Sequence, residues 1–334
     1  MSELISILMP VKNASNFLTD CLHSIKVQSY SHWELIAVND HSTDNSLQLL
    51  EKFAADEQRI KPIDNKGNGI IDALKTAYEY ASGNYIHRMD ADDIMVKDKL
   101  LELKSLLDKN GKGCVSTGMV KYFSEGKLNN GFLKYEKWLN SLCEQNSHWS
   151  EIYKECVIAS PNWLIHRDDL ENCGAFNKQQ YPEDYDLVFR FYKHNMKVVA
   201  INKVLHLWRD HAERSSRNLP QYKDNDFFDI KWQYYEEVVR DKSRPLMIWG
   251  AGRKGKKMAK LLKKNKVKFE WVSNNPNKHG REIYEKILRS FRRILQKDNP
   301  QIIIAVGQVG AKNEITKFLN QNNMYAIKDF TFFC

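Results

Sequence analysis

Short apolar runs alternate with amphipathic stretches through the first 93 residues, and no other feature constrains the fold as strongly. Ile5 to Val11 reads as a buried strand ending at Pro10-Val11-Lys12-Asn13. The next stretch places Leu18, Cys21, Leu22 and Ile25 on one helical face. Trp33 to Asp40 is a second strand, and His41-Ser42-Thr43-Asp44 after it reads as a turn and helix start. Leu47, Leu50 and Ala54 give that helix its inner side, and Ile60 to Ile63 is a third strand. After the loop Asn65-Lys66-Gly67-Asn68-Gly69 comes a helix carrying Ile70, Leu74, Ala77, Tyr78 and Ala81. A fourth strand begins at Tyr85 and stops in Asp90-Ala91-Asp92-Asp93. This alternation predicts an α/β fold, a mainly parallel sheet flanked by helices with right-handed crossovers.

In such sheets ligands bind beyond the carboxyl ends of the strands. Asp40 and the acids at 90–93 both fall at predicted carboxyl ends, so they are expected to face one pocket although far apart in sequence. Three carboxylates in four residues repel one another and resist burial unless a cation or donor groups neutralise them. A hard divalent cation, Mn²⁺ or Mg²⁺, does so through oxygen ligands and commonly shares itself with substrate phosphates. The competing reading is a solvated turn after an edge strand.

With 334 residues the chain has room for two domains with their own cores. The 42% hydrophobic and 28% charged content is that of a globular protein. There is no apolar run of the ~20 residues that span a membrane, and no signal-peptide pattern at the N-terminus. The six cysteines (21, 114, 143, 156, 173, 334) are scattered, which reads as reduced thiols in a cytoplasmic protein. A net charge of +9 points to an anionic partner, such as nucleotide phosphates or anionic lipid. Nucleic acid ranks last, because no basic-plus-aromatic module is present.

Beyond residue 95 the pattern loosens. Leu100, Leu103 and Leu107 mark a helix, Cys114 to Val120 a strand, and Tyr135 to Cys143 another helix. Tyr181-Pro182-Glu183-Asp184 fits a helix start, with acids favoured by the helix dipole. Val198 to His206 reads as a strand running into Leu207-Trp208-Arg209-Asp210-His211.

Taken together, residues 4 to about 215 resemble a family 2 glycosyltransferase of the GT-A fold. The residues that carry this are Ile5 to Asn13, Val38-Asn39-Asp40-His41-Ser42-Thr43-Asp44, Arg88-Met89-Asp90-Ala91-Asp92-Asp93, Pro182-Glu183-Asp184-Tyr185-Asp186-Leu187, and Arg209 with His211. The resemblance implies that Asp40 bonds the nucleotide base near Pro10, Val11 and Asn13. It puts Asp90 against the ribose or diphosphate, with Arg88 and Ala91 also on the donor side. Asp92 would ligate the metal, with His211 completing the metal or diphosphate site. Asp184 would be the general base. Glu183 and Trp163 are assigned to the acceptor side. His206 and Trp208 are alternatives for the role given to His211. Two departures stand out: Asn39 replaces an acid common in the family, and Ile71-Asp72-Ala73-Leu74 replaces an Ala-Arg-Asn sequence, which leaves donor choice open.

Residues 216–243, charged and aromatic, read as a helical linker, and 244–334 as a small Rossmann-like accessory domain. There the strand Leu246-Met247-Ile248-Trp249 leads into Gly250-Ala251-Gly252-Arg253-Lys254-Gly255, a glycine-rich loop opening a helix. The carboxylate expected after the second strand of an NAD site is missing, since Ser273-Asn274-Asn275-Pro276 stands there. A scaffold or homodimerising role is therefore preferred over NAD binding. The lysines from Lys254 to Lys268 read either as a solvated face or as a docking surface for an anionic membrane.

The expectation is an inverting, metal-dependent transferase. It would move sugar from a UDP-sugar to a glycan or lipid-linked acceptor at the inner face of the plasma membrane, for surface polysaccharide or lipopolysaccharide. A sugar nucleotidyltransferase would carry a Gly-rich basic loop after the first strand, and Pro10-Val11-Lys12-Asn13 has none. A non-catalytic nucleotide-binding scaffold would have no need of Asp184.

Overall fold

The computed structural model describes residues 3–177, 179–214, 217, 227–308 and 310–334. The chain divides into two units: Met1–His148 with Cys156–Ser215, and Trp149–Glu155 with Ser216–Cys334.

In the first unit the elements run β1 (Ile5–Val11), α1 (Ser15–Lys26), β2 (Trp33–Asn39), α2 (Ser46–Asp56), β3 (Ile60–Asp64), α3 (Gly69–Tyr80) and β4 (Tyr85–Arg88). They continue with β5 (Ile94–Met95), α4 (Lys99–Asn110), β6 (Cys114–Phe123), α5 (Asn130–Gln145), β7 (Trp163–His166), α6 (Arg167–Asn172), α7 (Glu183–Lys193) and β8 (Lys197–Arg209). The eight strands lie in the order β3-β2-β1-β4-β7-β6-β8-β5. β1 to β4 are parallel neighbours, β7 inserts antiparallel between β4 and β6, β6 and β8 are parallel, and β5 closes the edge antiparallel to β8.

β1 and β2 are buried at every residue except Pro10, as expected of parallel strands covered on both faces. Leu18, Cys21, Leu22 and Ile25 of α1 and Leu100, Leu103 and Leu107 of α4 join Ile5, Ile7, Leu35 and Ala37 in one core. On α2 the packed face is Leu49, Leu50, Phe53 and Ala54, rather than the Leu47, Leu50, Ala54 line expected. At the amino end of these strands Glu34 accepts from Ser6 Oγ (2.6 Å), Lys61 Nζ (2.7 Å) and the backbone N–H (2.6 Å) and hydroxyl of Ser82 (2.9 Å). Gly83 fits beside this cluster because a Cβ there would sit 2.7 Å from the Leu4 carbonyl. At the other end, pairing of Ile94 with Leu207 and Met95 with His206 holds the acid loop against the end of β8.

In the second unit helix α8 (Phe228–Tyr234) continues through a π-helical turn, Tyr235–Val239. Part of the expected linker, 218–226, lies outside the described residues. Next come β9 (Leu246–Trp249), α9 (Arg253–Lys264), β10 (Glu270–Ser273), β11 (Glu282–Ile283), β12 (Lys286–Ser290), β13 (Gln301–Ile304), α10 (Ala311–Asn320) and β14 (Phe330–Phe332). The sheet order is β11-β12-β10-β9-β13-β14, parallel except for β11. Met247, Trp249, Val272, Ile302, Ile304, Ile315 and Leu319 form its core. Gly250 has φ +128°, and a Cβ there would lie 2.6 Å from the Ala305 carbonyl oxygen. A Cβ on Gly255 would lie 1.9 Å from the Gly250 carbonyl oxygen, so both glycines serve close backbone packing. Gly252 has open space around it. Among the described residues no helix is long and apolar enough to cross a membrane.

Candidate active site

The first wall of the site is made where β1, β2 and β3 end. The N–H of Asp40 donates to the Val11 carbonyl (2.7 Å), which fixes the residue just past β2. Its carboxylate is buried and accepts from Asn65 Nδ2 (2.7 Å), Gly69 N–H (2.9 Å) and Lys12 Nζ (3.0 Å). Burial opposes the charge, but these donors outweigh it and hold the carboxyl below its ordinary range. Asn13 adopts positive φ, and its Oδ1 accepts from Thr43 N–H (2.8 Å), locking the loop after β1 to the loop after β2. Asn39 bonds Asp64 and the Ser42 N–H, so the site of the family's usual second acid is structurally occupied.

β4 supplies the second wall. Asp90 Oδ1 accepts from Arg88 Nε (3.2 Å), and Asp90 Oδ2 is 3.4 Å from Ser160 Oγ. Ala91 is buried beside it. Asp92 Oδ2 lies 2.9 Å from His211 Nε2, a contact across 119 residues of sequence. The imidazole leans on Phe17 with centroids 4.2 Å apart, and its Nδ1 is buried without a hydrogen-bond partner. Asp92 is kept below the ordinary carboxylate range: burial opposes this, and the His211 bond and the Arg214 charge prevail. Arg214 stacks over Trp208 (4.8 Å), Tyr122 (5.4 Å) and Phe132 (5.8 Å).

The third wall is the first turn of α7. Glu183 Oε1 accepts from Arg88 Nη1 (3.0 Å), while Glu183 Oε2 is buried with no partner. Burial pushes the Glu183 carboxyl up to about 7, with neighbouring Asp184 and Asp90 adding to the rise and Arg88 opposing it. Asp184, half-buried, accepts from the Tyr185 N–H (2.7 Å). Asp186 on the same turn is structural: it holds Arg190 (2.9 Å), which in turn donates to the Cys173 and Ala175 carbonyls.

Beneath the acid loop runs a buried polar chain. Lys99 Nζ donates to the Pro161 carbonyl (2.6 Å) and to His206 Nδ1 (2.9 Å). The other ring nitrogen, Nε2, faces Asp93 Oδ2 at 2.9 Å. Asp93 Oδ1 accepts the Arg209 N–H (2.8 Å), and Arg209 Nε donates to the Asp92 carbonyl (2.9 Å). Burial brings Lys99 down to about 7 and keeps His206 far below its ordinary value, hence neutral. Burial, with Asp92 next to it, raises Asp93.

The structure thus brings together Pro10, Val11, Asn13 and Asp40 on one side and Arg88, Asp90, Glu183 and the Asp92–His211 pair on another. Trp163 is not among them. The residue is 2% exposed, its ring packs edge-on against Phe191, and its carbonyl meets His87 Nδ1 (2.6 Å). Gly250, Gly252 and Gly255 belong to the second unit. Lys99 and Arg214 escaped the sequence reading, although a lysine one position before Leu100 on an apolar helix face was a usable signal. Among the described residues no group of three or more His, Cys, Asp or Glu forms a metal cage. Asp92 and His211 offer one oxygen and one nitrogen donor, a set that fits a hard cation completed by phosphate oxygens and water.

The model of glycosyl transferase family 2 matches residues 6–174, half of the chain. Glycosyltransferase GlyG of Streptococcus pneumoniae serotype 4 is 28% identical over 244 residues, covering 70% of this chain and 76% of that protein. Two other curated relatives are matched over 58% and 31% of their own length. Among solved structures, S. aureus TarS 1–349 in complex with UDP-GlcNAc matches with TM-score 0.54 and 15% identity, over 72% of this chain and 69% of that one. The mannosyltransferase PcManGT from Pyrobaculum calidifontis, in complex with GDP-Man and Mn²⁺, matches with TM-score 0.50 and 16% identity, over 72% and 64%. At such identities the likeness is one of fold, and the fold is that of GT-A nucleotide-sugar transferases.

Proposed function

Since the chain belongs to glycosyl transferase family 2, we propose that it moves a sugar from a UDP-sugar to a hydroxyl of a glycan or lipid-linked acceptor, with inversion at the anomeric carbon. The observation that carries this reading is the convergence at one sheet end of side chains from far-apart segments: Arg88 joins Asp90 to Glu183, and Asp92 meets His211.

In this reading Asp40 and the Pro10–Asn13 loop receive the nucleotide base and ribose, and Asp90 lies by the diphosphate. Asp92 and His211 are the residues that would hold Mn²⁺ or Mg²⁺. Such an ion, when bound, offsets the negative charge of the departing diphosphate. Asp184 accepts the acceptor hydroxyl's proton as the new C–O bond forms, and the bond to the diphosphate breaks on the opposite face. UDP-GlcNAc in TarS supports a UDP-linked donor, and Mn²⁺ in PcManGT supports a cation at Asp92. Synthesis of surface polysaccharide or lipopolysaccharide follows from the same reading.

We take residues 1–215 as the transferase domain, 216–243 as a linker and 244–334 as a Rossmann-like accessory domain that serves as scaffold. The exposed lysines of α9 support docking on an anionic membrane face. The direct test is UDP release from a UDP-sugar panel by wild type and Asp184→Asn. The reading requires acceptor-dependent release by wild type, lost in the variant. Equal turnover by both would remove Asp184 as the base.

A further inference from the structure

We propose that Arg88 is a positioning residue that ties the donor side of the site to the general base. This rests on the reading of Asp184 as that base. A cation one step before the acid loop would be expected to reach the donor's phosphates. The Arg88 side chain goes elsewhere: it is 5% exposed, and its guanidinium spans Asp90 Oδ1 and Glu183 Oε1.

Those two carboxylates belong to segments that no strand pairing joins. Asp90 follows β4, and Glu183 opens α7, 95 residues from Arg88. A guanidinium presents its donors in a rigid planar fork, so it fixes the separation of two carboxylates as a lysine ammonium does not. Asp184 is the next residue on the same turn, so whatever registers Glu183 registers Asp184. The charges agree with this role. Glu183 is repelled by Asp184 and Asp90 and attracted by Arg88, and Glu183 Oε2 has no hydrogen bond of its own. Without Arg88 the three carboxylates lose the cation that faces them, and the first turn of α7 loses its tie to β4.

The experiment is a kinetic double-mutant cycle on the full chain with Arg88→Met, Glu183→Gln and both together, with Arg88→Lys as the conservative variant. UDP binding is measured beside turnover. Arg88→Met should lower kcat about a hundredfold, the effect of displacing a catalytic group by about 1 Å. UDP affinity should stay within about threefold, because the Arg88 guanidinium is taken up by Asp90 and Glu183. The acid limb of the kcat profile should move up by about one unit, as Glu183 loses the charge that favours its ionised form. Arg88→Lys should recover part of kcat, and the double variant should be no worse than the poorer single variant.

Two outcomes overturn the proposal. A large loss of UDP affinity with kcat intact makes Arg88 a donor contact. Additive losses with an unmoved acid limb make it a packing residue. Neither depends on Asp184: normal turnover by Asp184→Asn would sink the choice of base, while the Arg88–Glu183 coupling would still be read from the cycle.

Discussion

Glu34 and Glu183 are glutamates of the same unit, both withdrawn from water, and they sit in opposite electrostatic regimes. Glu34, at the amino end of β2, takes hydrogen bonds from Ser6, Ser82 and Lys61. Burial works against its charge, yet these donors hold its carboxyl at about 2. Glu183, at the other end of the sheet, shares one guanidinium with Asp90, leaves Oε2 unpartnered and is pushed up to about 7. The amino end spends its donors on one carboxylate and ties three chain segments together. At the carboxyl end Asp90, Glu183 and Asp184 lie around the one Arg88 guanidinium, and burial makes their charges costly. Glu34 is satisfied from within the chain, whereas Glu183 keeps one buried oxygen without a partner.

The comparison breaks most visibly at Asp184. Asp184→Asn should lower kcat about a thousandfold, as for loss of a general base, with thermal stability and UDP affinity nearly unchanged. Glu34→Ala should do the reverse. It leaves the Lys61 ammonium and the Ser6 hydroxyl without their acceptor and should cost about 3 kcal/mol in denaturant unfolding, while kcat per folded molecule is retained. If Glu34→Ala unfolds at the wild-type midpoint, the amino-end cluster does not hold the sheet.

Chemical denaturation against pH sharpens the contrast. Glu34 titrates from an ordinary 4.5 when unfolded to about 2 when folded, so the unfolded chain binds the extra proton between those values. Its contribution is complete above pH 4.5 and is lost as pH falls toward 2. Glu183 runs the other way: between 4.5 and about 7 the folded chain binds the extra proton, so stability declines as pH rises through that window. Glu34→Gln should flatten the first slope and Glu183→Gln the second. Swapped or absent effects would erase the distinction between the two ends. The smallest effect is expected at Lys12, which is 59% exposed beside Asp40. Lys12→Ala should change stability by less than about 1 kcal/mol, because Asn65 and Gly69 still hold the carboxylate.

Much of this was legible in the sequence. The apolar runs marked β1 and β2 because both faces of a parallel strand are buried, and the acids just past β2 and β4 pointed to one pocket. The insertion of β7 between β4 and β6 was not legible, since nothing local to Trp163–His166 states its partners. For the same reason Trp163 read as an available aromatic when its ring is buried in the core. The chain from Lys99 through His206 to Asp93 joins residues up to 113 apart and becomes visible only once β5 pairs with β8. Arg88 could be placed at the site from its neighbours in sequence, but its turn toward Glu183 depends on where α7 lands.

We propose that the carboxyl end of the sheet binds a nucleoside diphosphate through Asp92 and a divalent cation. Calorimetric titration of UDP into wild type and Asp92→Asn, each with and without Mn²⁺, tests it most directly. Wild type should give heat of binding only with Mn²⁺, and Asp92→Asn none under either condition. UDP binding that ignores both the metal and the substitution would contradict it.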